Sequence, residues 1–338
     1  MSIFRFIAYF LTTFCLALLI ACSNQTANVN SPSSSPASPQ AASTSEHSMH
    51  GGRKININSA ILSELDKLEA KLGIPALSNK IQASRPYGKT EELVSKNVIT
   101  QAQFDQVKDM VTIEDIQLTG EAKDIDYMTK LGLMKGHMMV AKELLDLQKP
   151  DQAEPHIGHP VEEIYADVED QLGERNVPPF KEGLIALQDD VKAGAKDANK
   201  VSNEFKVSMK AIEDAIAGLP ETQRQSSSFV LQVINGLLDT ANSEYGAAIA
   251  DGKISQVIEY QDSRGFVNYA NELYQAIAPQ LSKENAEVAK SVETNLASLT
   301  KTWGTSPIPP AAPVNSSDQV SKLVKDIEQS TQKAVKTS

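Results

Sequence analysis

Three of the five histidines in this 338-residue chain, His137, His156 and His159, fall close together, and Glu162 and Glu163 follow at once. Imidazole and carboxylate are the donors from which helical proteins build metal sites, projecting them inward from facing helices. Pro160 suits a first helical position, so the spacing predicts His159 as an N-cap and Glu162 and Glu163 in the first turn, near one another. A second acidic set, Glu244, Glu259 and Asp262, recurs around the Asp251-Gly252 turn at a similar spacing. If the two halves are related helical hairpins, these carboxylates face the histidines. No thiolate accompanies the cluster, which puts iron or copper ahead of zinc. A second reading of the same residues stays open: the histidines cap helices and bond to carbonyls, while Met128, Met134, Met138 and Met139 fill gaps in a core.

Catalytic patterns are missing. The chain has no Gly-x-Ser-x-Gly, no Gly-rich phosphate loop with lysine and no His-Glu-x-x-His. Acidic pairs such as Asp189-Asp190 and Glu91-Glu92 belong on solvated helix faces, so the expectation is a non-enzymatic protein.

The elements that must position these residues read as helices. Over 124–147, 161–172, 179–193, 197–216, 221–250, 255–281 and 283–303 the apolar spacing is helical, with Gly194, Gly218-Leu219-Pro220 and Asp251-Gly252 as turns. Short links between such helices make a bundle over 119–303. A Pro-rich spacer follows, and within 304–338 Val320, Leu323, Val324 and Ile327 form one stripe on a short amphipathic helix that should dock back on the bundle. Trp303 is expected as a packing residue.

Ahead of the bundle, Leu65, Leu68 and Leu72 share one helical face, and Gly73 is placed to end that helix in a left-handed cap. Leu77 and Ile81 mark a second short helix. Leu93 and Val94 lie on a further turn, and Thr100 to Gln103 has the capping-box form before Phe104, Val107 and Met110. The two hairpin turns of this segment, 53–118, are Leu72-Gly73-Ile74-Pro75 and Asn97-Val98. The fold class is therefore all-α, a small helix-hairpin-helix domain followed by a helical bundle. Aromatic residues at only 5% agree with helices rather than a β-sandwich.

The first residues give an address. Arg5 is the only charge before a short apolar run that ends in Leu19-Ile20-Ala21-Cys22, the pattern of a signal peptide over 1–21. The Ser-, Pro- and Ala-rich stretch 22–52 reads as a disordered tether, with His47, Met49 and His50 at its end. Loss of Arg5 with the signal peptide takes the net charge from −11 to −12, which argues against a general nucleic-acid surface.

Residues 19–22 resemble the bacterial lipobox, which implies acylation at Cys22 and a stable lipid anchor in the cell envelope, facing the periplasm or a lumen. Ser23 is not the aspartate that retains such proteins in the inner membrane, so the outer membrane is expected. Residues 54–113 resemble the helix-hairpin-helix domain of ComEA-type competence proteins through Asn58-Ser59-Ala60. They are similar also to the extrinsic photosystem II subunit U family of cyanobacteria through residues 54–58, 75–81, Pro86-Tyr87, 91–93 and 111–113. These resemblances imply either DNA uptake or an extrinsic subunit of a membrane complex. DNA is disfavoured: Pro75 has no N–H to offer a phosphate, Asn97-Val98-Ile99 stands where glycine is expected, and basic and acidic residues nearly balance over the segment. A protein partner docking on the hairpin module is the expectation. His159-Pro160-Val161-Glu162 has the His-x-x-Glu spacing of imelysin-like iron-uptake proteins, and residues 245–266 look like periplasmic segments of iron permeases. Both imply iron handling in the bundle.

Overall fold

The structure, a computed structural model, describes residues 54–115 and 117–335. The signal segment 1–21, Cys22 and the tether 22–52 with His47, Met49 and His50 lie outside the described residues. The described residues belong to one compact unit containing two hydrophobic cores.

The smaller core belongs to residues 54–113. Strand β1 (Ile55–Asn56) pairs in parallel with β2 (Val111–Thr112), joining the ends of the segment. Between them lie α1 (Leu62–Leu72), α2 (Leu77–Ala83), α3 (Glu92–Ser95) and α4 (Gln101–Val107). Leu65, Leu68, Leu77, Ile81, Leu93, Phe104 and Val107 are buried together, and Gly73 ends α1 at φ 63°. The Thr100–Gln103 capping box forms as expected: Gln103 N–H donates to Thr100 Oγ1 (3.3 Å) and Thr100 N–H to Gln103 Oε1 (2.8 Å). Leu72 and Ile74 are half-buried, Pro75 is exposed, and Val98 packs inward beside Asn97, which is left-handed at φ 57°.

The larger core is all helical: α5 (Gly120–Asp146), α6 (Pro150–His159), α7 (Tyr165–Glu174), α8 (Lys181–Lys192), α9 (Ala198–Ala217), α10 (Glu221–Arg224), α11 (Ser227–Ala248), α12 (Val257–Glu284), α13 (Ala286–Leu299) and α14 (Ser317–Val335). Ser226 caps α11 and Asn285 caps α13, each side chain accepting a first-turn N–H. Met128, Met134 and Met138 are buried. Trp303 closes the end of the bundle, its Nε1–H donating to Ser263 Oγ (2.9 Å). The stripe of α14 docks as expected, with Val320, Val324 and Ile327 buried and Thr331 bonded to Asn235. Among the described residues no helix is long and apolar enough to cross a membrane.

Two expectations need correction. The helix expected to begin at 161 begins at Pro150, so His159 is not an N-cap but the last residue of α6. The chain continues without a break through a π turn, Pro160–Ile164, into α7. Proline has no N–H, and its ring clashes with the carbonyl four residues back. A wider turn, in which Tyr165 N–H reaches the carbonyl of Pro160, accommodates it. The second correction concerns Asp251-Gly252, which does not join two helices directly. It is the turn of a minimal hairpin between β3 (Ile249–Ala250) and β4 (Lys253–Ile254), with φ 52° and 69°. Positive φ at both central residues is what a two-residue hairpin turn demands and what Asp-Gly supplies.

Candidate metal centre

Helices α5 and α12 meet backbone to backbone. A Cβ on Gly265 would stand 2.3 Å from the carbonyl oxygen of Gly136, and one on Gly136 would stand 2.7 Å from Phe266 Cδ1. Only glycine on both sides permits this approach, which brings the next residue, His137, against Asp262 one turn back on α12. His137 Nδ1 lies 2.7 Å from Asp262 Oδ1, and its ring stands edge-on to Phe266 at 4.9 Å.

Three imidazoles surround Asp262. His156 Nδ1 lies 2.6 Å from the same Oδ1, and His159 Nδ1 3.3 Å from Oδ2. His156 Nε2 faces Gln261 Oε1 at 2.9 Å, and that amide is oriented by its own NH₂ donating to the carbonyl of Pro307. Both ring nitrogens of His156 are thus engaged by protein partners. It stands behind Asp262 and orients it, as outer partners of metal ligands do. His137, His159 and Asp262 each offer a donor atom, and these atoms lie within 4.8 Å of one another.

The π turn decides which glutamate joins them. In an i→i+5 turn residue i+4, rather than i+3, returns beneath residue i, so Glu163 accompanies His159 into a cavity of about 210 Å³. Glu162 turns outward to Gln188 Nε2 (3.1 Å). Glu244 from α11 and Glu259 and Asp262 from α12 line the same cavity, and α1 closes it through Leu62, Ser63 and Asp66, with Asn79 of α2 beside them. Of the residues singled out in the sequence, the structure brings His137, His159, Glu163, Glu244, Glu259 and Asp262 to the cavity, with His156 behind them and Glu162 outside. Asp66 was missed. It repeats at helical spacing with Ser63 and Glu69 on the face of α1 opposite Leu65 and Leu68, and such a polar stripe reads as solvated.

Among the described residues no lysine or arginine lines the cavity. Burial raises Glu163 and Glu259, and raises Glu244 well above the usual carboxylate range, with Asp66 and Asp262 adding to the effect on Glu244. Burial, reinforced by Glu69 and Glu259, pushes Asp66 up to about 8 against the Ser78 hydroxyl that bonds it. Asp262 goes the other way: burial opposes its charge, but His137 and His156 hold it well below its ordinary range. Burial lowers His137. For His159 burial acts the same way, yet Asp262, Glu163 and Glu259 overcome it and push the imidazole up to about 9. The cavity is therefore short of positive charge, a condition relieved by protons or by a cation.

The hairpin turns have a different chemistry. Glu69 accepts the backbone N–H groups of Ala76 (2.9 Å) and Ser78 (3.2 Å) at the start of α2. These are the amides that a DNA-binding hairpin would present to a phosphate; here an internal carboxylate occupies them. Lys80 Nζ donates to the carbonyl of Val98 and joins α2 to the second turn (2.8 Å).

Residues 220–338 match a family described as the iron permease-associated 4-helix bundle domain. The match covers α10 to α14 and includes Glu244, Glu259 and Asp262. The histidines and Asp66 lie outside it. Comparison with curated proteins gave no match, and comparison with solved structures gave none.

Proposed function

We propose that the protein is a non-catalytic iron-binding accessory component of an iron-uptake system, holding the ion in the cavity among α1, α5, α6, α11 and α12. The observation that carries this reading is a cluster of imidazoles and carboxylates that, among the described residues, has no lysine or arginine lining it. His137, His159, Glu163 and Asp262 are the residues that would hold iron as cargo, with Glu244 and Glu259 within the same wall. An oxygen-rich set with two imidazoles and no thiolate suits iron. The likeness of residues 220–338 to an iron permease-associated domain supports the same cargo. Anchoring through Cys22, an envelope location facing the periplasm or a lumen, and a protein partner docking on the surface of residues 54–113 complete the proposal. Elemental analysis of the protein purified without a histidine tag tests it. Iron at stoichiometric level in wild type, lost in His159→Ala and Asp262→Asn, is the expected outcome. Wild type that stays metal-free after exposure to ferrous iron would refute it.

A further inference from the structure

Asp66 belongs to the amino-terminal module, not to the bundle that supplies the imidazoles and the other carboxylates of the cavity. It is 7% exposed, and Glu244, 3% exposed, is its neighbour across the gap from α11. Both carboxyls line the cavity that holds His137 and His159, and each faces the other's charge. The module is fastened to the bundle around this point. Leu62 N–H donates to Glu163 Oε2 (3.3 Å), Gln256 Nε2 donates to Glu69 Oε1 (2.8 Å), Lys67 pairs with Asp239, and Gly246 lets Ala70 pack directly on α11.

We infer that Asp66 is an ion-binding residue of the centre, and that occupation of the cavity by a divalent cation clamps the amino-terminal module onto the bundle. The inference rests on the iron-binding reading above. A cation placed between groups from α1 and groups from α11, α12 and the π turn is attracted to both parts at once. It also relieves the repulsion between two carboxyls that face one another across the cavity. Coupling is reciprocal: if the cation holds the module down, removing the module's carboxylate must weaken the cation. Ser78 holds the Asp66 side chain in place and contributes no cavity group of its own, so Asp66 is the module's charged contact with the ion.

Two measurements on the full untagged chain test this, with ferrous iron added anaerobically as the probe. Calorimetric titration should show Asp66→Asn binding iron about tenfold or more weaker than wild type. Hydrogen exchange should show the amides of α1 protected by iron in wild type and unaffected by iron in the variant. The wild-type exchange experiment stands even if Asp66→Asn fails to fold. Iron binding by wild type with no change in α1 exchange, or with Asp66→Asn within about twofold of wild type, overturns the clamp and leaves the iron-binding reading intact. Absence of iron binding by wild type overturns both.

Discussion

Replacing Gly265 by alanine probes the crossing on which the centre is built. The new Cβ would meet Gly136 O at 2.3 Å, Gly136 C at 2.8 Å and Val140 Cγ2 at 2.9 Å. Two of these atoms are backbone and cannot rotate away, so α5 and α12 must separate by about 1 Å to restore ordinary contact. Such overpacking costs about 1–3 kcal/mol, against about 1 kcal/mol recovered because alanine favours a helix interior over glycine. A net loss of up to about 2 kcal/mol follows, read as a fall in the midpoint of thermal unfolding followed by circular dichroism. The functional effect should exceed the structural one. An extra ~1 Å takes the 2.7 Å contact between His137 and Asp262 beyond hydrogen-bonding range, and loss of such an orienting partner lowers metal affinity by about 10–100-fold. Iron titration of the variant supplies that second reading. Gly265→Ala with the melting temperature and the iron affinity of wild type would refute both the tight crossing and its role in setting the centre.

Three further outcomes are expected. Glu163→Gln should weaken iron binding by about tenfold or more while Glu162→Gln leaves it unchanged in the same titration, because only Glu163 lines the cavity; the reverse ranking would mean that Glu162 faces the ion instead. Stability of the metal-free protein should fall as pH rises from about 5 to 9. Asp66, raised to about 8, and Glu163, Glu244 and Glu259, also raised, stabilise the fold while protonated and lose that contribution as pH climbs through their folded values. His159, pushed up to about 9, acts in the same direction; melting curves across this range with and without iron check it, the stabilisation by iron growing toward the alkaline end. Duplex DNA at about 0.1 M salt should give no mobility shift below micromolar protein, since Glu69 occupies the amides of the first hairpin.

Much of the centre could be read from residue types. His137, His159, Glu244, Glu259 and Asp262 stand out because imidazoles are rare in this chain and the carboxylates recur at matched spacing about the Asp-Gly turn. The choice between Glu162 and Glu163 was not legible. It depends on a π turn that arises where Pro160 sits inside a continuous helix, and a proline at that point reads equally well as a helix start. Asp66 was hidden for a different reason. Both faces of α1 are buried, Leu65 and Leu68 in the module and Ser63, Asp66 and Glu69 against the bundle, and an isolated amphipathic pattern assigns the polar face to water. Gly136 and Gly265 carry no local signal, because their role appears only when two helices distant in sequence are paired. The caps at Gly73 and Thr100 were legible since both are local hydrogen-bonding devices whose partners lie within a few residues.

Anomalous diffraction at the iron absorption edge, from crystals of the protein loaded with ferrous iron, addresses the centre most directly. A single strong peak inside the cavity, within bonding distance of His159 and Asp262 and facing Asp66, is the expected result. A peak held by surface carboxylates away from His137 and His159, or no peak in crystals shown to contain iron-saturated protein, would contradict the centre.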